Sequence, residues 1–484
     1  MSSPSATGQR PDHDRSPDRL PDLSAFPADF TFGTATASYQ IEGAHDVAGR
    51  GPSIWDTYCR TPGRVANGDT GDVACDHYHR YREDVALLRD LGVDSYRFSI
   101  AWPRVQPTGT GPALAAGLDF YDRLVDALLE AGISPAATLY HWDLPQALED
   151  RGGWRVRETA EHFARYTELV AERLGDRVDR WITLNEPYCT AFVGYAVGRH
   201  APGAREGRGA LAAAHHLLVG HGLAVRALRA AGLKEGAQVG ITLNPDRLLP
   251  ASDTEADHAA VRRAETLHNE VWLDPLFAGR YPAHEAETWG ELADGTWRRE
   301  GDLALVGAPL DFVGVNYYRP ITIADAPYQD PDPATRTAVD IRAVEVRRDD
   351  VRHTEMDWPV VPHTLTDLLT DLDRRYPDLP PVVITENGSA EADVVTPDGH
   401  VHDSDRIAYL RDHLAALADA ITAGVDVRGY YVWSLLDNFE WAHGYSKRFG
   451  LVRVEYDTQR RIPKDSYHWY RRLIAAHHTR ARRR

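Results

Sequence analysis

The sequence predicts one α/β domain, a single (β/α)8 TIM barrel whose long strand-to-helix loops form the rim of a site. Three observations carry this. Eight short apolar runs recur along the 484 residues, helical stripes fall between them, and no Pro/Ser/Gly-rich linker divides the chain. The runs are 30–37, 95–102, 134–141, 178–186, 238–244, 311–318, 381–388 and 428–436. Their hydrophobicity is nearly continuous, as expected of strands buried on both faces. The competing architecture, a doubly wound sheet in two domains, lacks the linker it would need.

Between the runs, apolar residues recur at helical spacing. The clearest stripe is Leu118, Tyr121, Val125, Leu128 and Leu129. Others cover 78–91, 158–174, 209–231, 257–278, 363–376 and 404–423, and 464–476 closes the chain. Two polar insertions interrupt the repeat, 43–76 after the first strand and 319–362 after the sixth. Loops that long are usually functional, and both belong to the C-terminal face, where barrel sites are built. Residues 1–22, rich in Pro, Ser, Asp and Arg, read as a disordered tail. The folded domain then spans 23–478, and 479–484 reads as a short, basic, solvated end.

An apolar share of 43%, with 12 Trp, 22 Tyr and 11 Phe, is enough for a large core. No run approaches the roughly 18 apolar residues that a membrane span needs. The formal charge of −18 disfavours nucleic acid and suits a neutral small-molecule substrate. Three cysteines, Cys59, Cys75 and Cys189, form no disulfide framework and no metal-ligand spacing. The N-terminal segment has no apolar signal region. Together these point to the cytoplasm. The histidines of Asp76-His77-Tyr78-His79 sit two apart at a helix start and face different ways, so no metal site is expected there.

The chemistry lies at the strand ends. Gln40, Arg97, His141, Asn185, Glu186, Tyr318, Glu386 and Trp433 fall at C-terminal ends in this register, where a core needs none of them. Glu186 in WITLNEP and Glu386 in VVITENG each end an apolar run. Strands four and seven lie nearly across a barrel, so these two carboxylates can face one sugar. Glycosidic hydrolysis needs such a pair. Arg97 and the Tyr318 hydroxyl would orient Glu386 and keep it ionised as nucleophile. The charge of Glu386 would keep Glu186 protonated as general acid, then base. Asn185 suits the sugar 2-hydroxyl. His141, flanked by Trp142 and Asp143, reads with Trp142 as part of the substrate site.

These segments resemble glycoside hydrolase family 1, its bacterial β-glucosidases most of all, from about Phe26 to Tyr470. FTFGTATASYQIEGA, YRFSIAWPR, TLYHWDLPQAL, TLNEP, NYY, ITENG, WSLLDNFEWAHGYSKRFGL and RIPKDSYHWY occur in the family's order. The resemblance implies that Glu186 is the acid/base and Glu386 the nucleophile of a retaining β-glucosidase, with side activity on β-fucosides or β-galactosides. It implies a glycone subsite of Gln40, His141, Trp433, Glu440 and Trp441, and an NxY element of Asn316 and Tyr318. Cys189 and Phe449 match pocket-wall positions, and Trp358 matches the tryptophan of the aglycone entrance. Glu391 departs from the pattern, standing where many relatives carry an aromatic.

Three rivals are weighed on the same residues. A 6-phospho-β-glucosidase needs cations where Glu440 and Trp441 stand, and Lys447 alone is too little. A non-catalytic sugar-binding barrel would have lost one glutamate. Transglycosylation would use the same residues as hydrolysis. The expected substrates are β-glucosides such as cello-oligosaccharides, as in cellulose degradation, with no cofactor required. The natural aglycone and the oligomeric state stay open.

Overall fold

The computed structural model describes residues 19–327 and 336–483. Residues 1–18 of the expected tail, 328–335 of the second insertion and Arg484 lie outside them. Each of the eight apolar runs forms one barrel strand: β1 (Thr31–Ala35), β2 (Ser95–Ser99), β3 (Ser134–Tyr140), β4 (Arg180–Asn185), β5 (Gln238–Leu243), β6 (Phe312–Asn316), β7 (Val382–Asn387) and β8 (Val427–Trp433). Each pairs in parallel with its chain neighbours. β8 pairs with β1, from Thr31 opposite Gly429 to Ala35 opposite Trp433, which closes the barrel.

Eight main helices follow the strands in turn: α1 (His77–Leu91), α2 (Ala115–Glu130), α3 (Arg157–Leu174), α4 (Arg208–Ala230), α5 (Glu255–Glu265), α6 (His363–Arg375), α7 (Ser404–Thr422) and α8 (Asp465–Ala481). The apolar faces of all but α5 join the outer strand residues in one continuous core, while α5 packs Ala260 and Ala264 against Leu248, Ile321 and Ile323. A smaller cluster fills the barrel, with Ile182, Phe312, Val383 and Tyr431 below Trp433 and Phe449. The interior is thus packed from the bottom up to the level of the site.

Three sequence expectations need correction. The stripe at 257–278 is not one helix. After α5 the backbone widens into π turns at Thr266–Glu270 and Asp274–Ala278. Pro275 has no N–H to give an α-helical bond there, and the Asn269 side chain leaves the helix to clamp both the N–H and the carbonyl of Asp246. The basic end is not simply solvated. Helix α8 runs to Ala481, and the Arg480 guanidinium caps the carbonyls of Leu23, Ser24 and Phe26. At the other end Leu20 already packs against the core, inside the segment expected to be a tail.

Both insertions rise from the C-terminal face. The first carries a short helix, Ile54–Cys59, started by a reciprocal Ser53–Asp56 capping box. The second pairs Pro320–Ala324 with Arg247–Pro250 and Val344–Glu345 in a small sheet. A third long loop, 434–464, folds back as the hairpin Val452–Glu455/Arg460–Pro463. A buried ionic frame anchors it. Arg406 grips Asp393 at 3.0 and 2.8 Å and also Asp403. Lys464 bonds Asp393 and reaches Asp437 at 2.7 Å, and Arg448 meets Asp437 at 2.6 Å.

Candidate active site

Five strands, β2, β3, β4, β6 and β7, converge their polar ends on one network. Arg97, from β2, is buried and uses its whole fork. It donates to Glu386 Oε1 at 2.6 Å, to Asn185 Oδ1 at 2.6 Å, to Thr138 Oγ1 at 3.1 Å and to the Thr385 carbonyl at 3.1 Å. Tyr318 donates to the other oxygen, Glu386 Oε2, at 2.6 Å. Glu386 is therefore held on both oxygens, by a cation and a phenol, as the sequence suggested.

Glu186, at the end of β4, is held differently. Asn316 Nδ2 donates to its Oε1 at 2.6 Å, and the Cys189 thiol donates to its Oε2 at 3.1 Å. Asn316 is oriented by Thr385, whose hydroxyl donates to its Oδ1 at 2.7 Å, and it also reaches Asn185 Oδ1 at 3.0 Å. One chain of contacts thus runs from Glu386 through Arg97, Asn185 and Asn316 to Glu186. It fixes a tautomer as well. Asn185 Oδ1 accepts twice, so its Nδ2 must donate to His141 Nε2 at 3.1 Å, which leaves the ring proton of His141 on Nδ1.

The electrostatics follow from burial. Glu186 is 6% exposed and Glu386 3%. Burial first, and then the charge of Glu386, push the Glu186 carboxyl up to about 8. Burial raises Glu386 too, against the expectation that Arg97 would simply hold it ionised; Arg97, Tyr318 and Asn316 oppose the rise without cancelling it. The pair therefore loses its first proton on the side that faces the guanidinium. Glu440 is likewise pushed up to about 8, by burial and then by Glu386 and Glu186. His141 is held neutral, far below its ordinary range, by burial and by Arg97.

These groups face a cavity of about 640 Å³. His141, Trp142, Trp433, Glu440 and Trp441 line it with Glu186 and Glu386. Asn316, Tyr318, Phe449, Cys189 and Trp358 line it too. Gln40, Arg97 and Asn185 stand behind that lining. Gln40 is fully buried, with Nε2 on the Asn438 side chain and the Phe439 carbonyl. Gln40 Oε1, His141 Nδ1 and Glu440 Oε2 have no hydrogen-bond partner in the protein. Three buried orphan polar atoms around one cavity are the signature of a hydroxyl-rich ligand. Trp142, Glu186 and Trp441 all adopt left-handed backbone, at φ 77°, 42° and 48°. Such strain on non-glycine residues costs on the order of 1–3 kcal/mol each and collects at functional sites.

Every site residue expected from the sequence is thus brought to this cavity or its backing. Trp358, on the long second insertion, packs against Tyr318 and Phe449 at ring separations of 5.2 and 6.0 Å. Glu391, the departure from pattern, turns to Arg352 instead. What the sequence missed is the pair of donors on Glu186. Cys189 was read as an ordinary cysteine on the pocket wall, and Asn316 only as part of a motif. The one available signal was position: Cys189 lies three residues past Glu186, and its N–H returns to the Glu186 carbonyl at 2.9 Å. His77 has a structural role, bonding Asp84 at 2.8 Å. Among the described residues no cluster of three or more metal-binding side chains occurs.

Two buried carboxyl groups across the mouth of a (β/α)8 barrel, set in different environments over a hydroxyl-seeking cavity, define a glycosidase-type site. The glycosyl hydrolase family 1 profile matches residues 23–479, and the chain belongs to that family. Beta-glucosidase A of Acetivibrio thermocellus is 45% identical, covering 93% of this chain and 98% of its own. A bifunctional beta-D-glucosidase/beta-D-fucosidase of Bifidobacterium breve is 49% identical, covering 94% and 99%. Among solved structures, the Thermotoga maritima beta-glucosidase in complex with glucoimidazole superposes with a TM-score of 0.87 at 46% identity, covering 93% of this chain and 99% of that one.

Proposed function

We propose that the protein is a retaining β-glucosidase that removes terminal non-reducing β-D-glucosyl residues. The observation that carries this reading is the single network joining Glu386, Arg97, Asn185, Asn316 and Glu186. Glu386 is the nucleophile: its carboxylate attacks the anomeric carbon while Glu186 protonates the departing oxygen. Covalent capture removes the charge of Glu386 and with it the repulsion that holds the Glu186 proton. Glu186 then serves as base toward water, and the glycosyl ester is cleaved with net retention. Asn316 donates to Glu186 and to Asn185, and Asn185 accepts from the Arg97 that holds Glu386. Retention by this route requires a carboxyl separation of about 5–5.5 Å.

Gln40, His141 and Glu440 bind the outer hydroxyls of the glucose through their orphan atoms, and Trp433 stacks on its face. The bifunctional relative supports side activity on β-fucosides. The unpaired thiols of Cys59, Cys75 and Cys189 suit a reducing, cytoplasmic setting. Cello-oligosaccharides fit as substrates, with transglycosylation as the parallel outcome when an alcohol replaces water.

The test is intact-protein mass after incubation with a dinitrophenyl 2-deoxy-2-fluoro-β-glucoside. The fluorine slows both steps, and the good leaving group still lets the intermediate accumulate. A single hexosyl adduct on Glu386 is expected. No adduct, together with no turnover of aryl β-glucosides, would overturn the reading.

A further inference from the structure

The outer end of the cavity differs in sign from its floor. The floor carries Glu386 and Glu440. Two separate loops each bring an unpaired cation to the outer lining, Arg64 and Arg199, and a third cation, Lys447, lies nearby. Arg64, from the first insertion, also lines the cavity; it donates to the carbonyls of Gly198 and Gly203 and lies over the Tyr58 ring at 5.6 Å. Arg199, on the turn that follows the π helix Cys189–Val197, is exposed and lines the cavity. Lys447, from the loop after β8, stands outside the lining and bonds the Glu355 carbonyl. Among the described residues none of the three has a carboxylate within ion-pair distance.

That is unusual in a chain with a formal charge of −18. Most arginines elsewhere in the fold hold an Asp or Glu. The facing acids are already occupied: Glu345 is gripped at both oxygens by Arg319, and Asp246 is bonded by His268 at 2.7 Å. The histidines on this wall report the same field. His443 titrates below its ordinary value through burial, Lys447 and Arg199, with no acidic group raising it. His200 is pushed down to about 3 by burial, then by Arg199 and His443. Tyr188, Val193, Met356 and Trp358 add apolar surface to the same lining.

We infer that this outer wall is an anion-recognition subsite, and that the aglycone it favours is an aromatic alcohol bearing a carboxylate. The ring would lie against that apolar surface, and Arg199 with Arg64 would meet the carboxylate. The inference rests on the glucosidase reading and adds the leaving-group class to it. Charge is well suited to such discrimination, because a misplaced neutral group leaves the guanidinium groups without a partner.

The experiment compares kcat/KM for 4-carboxyphenyl and 4-carbamoylphenyl β-D-glucosides, with 4-nitrophenyl β-D-glucoside as the check on glucosidase activity. The carboxylate-bearing phenol is the poorer leaving group, so a preference for it reports binding and not chemistry. We expect the carboxylate to be favoured about 5- to 10-fold at low ionic strength, with the ratio shrinking in 0.5 M salt as the charges are screened. In the double variant Arg64→Gln/Arg199→Gln the ratio should fall to one or below. Because it is a ratio on one enzyme, a general loss of activity or stability does not move it. Turnover of the nitrophenyl substrate without preference for the carboxylate, or a preference that survives in the double variant, sinks the subsite alone. No turnover of any of the three sinks the glucosidase reading, and the subsite with it.

Discussion

Two buried charge clusters lie within the same C-terminal half of this barrel, and they are built to opposite rules. In the frame behind the β8 loop, Asp393, Asp403 and Asp437 meet Arg406, Arg448 and Lys464. Three negative charges face three positive ones, and none of these side chains has a buried polar atom without a partner. In the site, Arg97 pairs with Glu386 and acts on Glu186, whereas Glu440 feels only burial and those two carboxyl groups. Gln40, His141 and Glu440 keep orphan atoms as well. The frame is balanced and therefore static. The site has two carboxyl groups too many, so it holds protons that it can give away, and its bonding is completed by a ligand.

Removing the nucleophile should break the site most severely. Glu386→Gln should lower kcat on 4-nitrophenyl β-glucoside on the order of 10⁵-fold while leaving the fold intact by circular dichroism. Glu186→Gln should lower kcat/KM about 10²- to 10⁴-fold for alkyl glucosides, which need the acid, and far less for dinitrophenyl glucoside, which does not. Equal losses on both substrates would mean that Glu186 is not the proton donor.

The frame should fail in the other currency. Lys464→Met strips a cation from two buried aspartates, and urea unfolding should register a loss of about 3–5 kcal/mol. If stability held and only KM rose, the frame would belong to the site after all. A smaller effect is expected from the thiol on Glu186. It donates to the carboxylate and so favours the ionised form. Cys189→Ala should move the alkaline limb of kcat/KM upward by about 0.4–1 pH unit, the equivalent of one hydrogen bond, whereas Cys189→Ser should leave it nearly in place.

The same surplus acids should also shape stability against pH. Burial pushes Glu186 and Glu440 up to about 8 in the folded chain. Across the window from their ordinary value near 4.5 to about 8 the folded state keeps protons that the unfolded state has released. Stability contributed this way is fully present below that window and is lost as pH rises through it. Glu440→Gln should flatten the decline in Tm between pH 5.5 and 8 while weakening glucose binding. A decline of unchanged slope would show that the surplus acid is not the cause.

The barrel was legible because its strands are local: each run such as QVGITL or FVGVN announces itself within a few residues. Glu186, Glu386, Arg97 and Tyr318 were legible because polar residues at strand ends have no packing reason to be there. The frame was not. Asp393 and Lys464 lie 71 residues apart, and in sequence each is only a charged loop residue. The π turns were hidden as well, since a 3.6-residue stripe looks the same before and after the backbone widens. Arg480 was read as a loose end because its partners are backbone carbonyls, which leave no mark in a sequence.

The inner end of the cavity is closed. Gln40 is sealed against Asn438 and Phe439, and Tyr39, Trp55 and Phe439 are buried behind Trp441. A pocket with one door imposes a queue. The terminal sugar must go in first and come out last, and the leaving group always stands between it and the solvent. Such a chamber can shorten a chain only from its tip, one unit per visit.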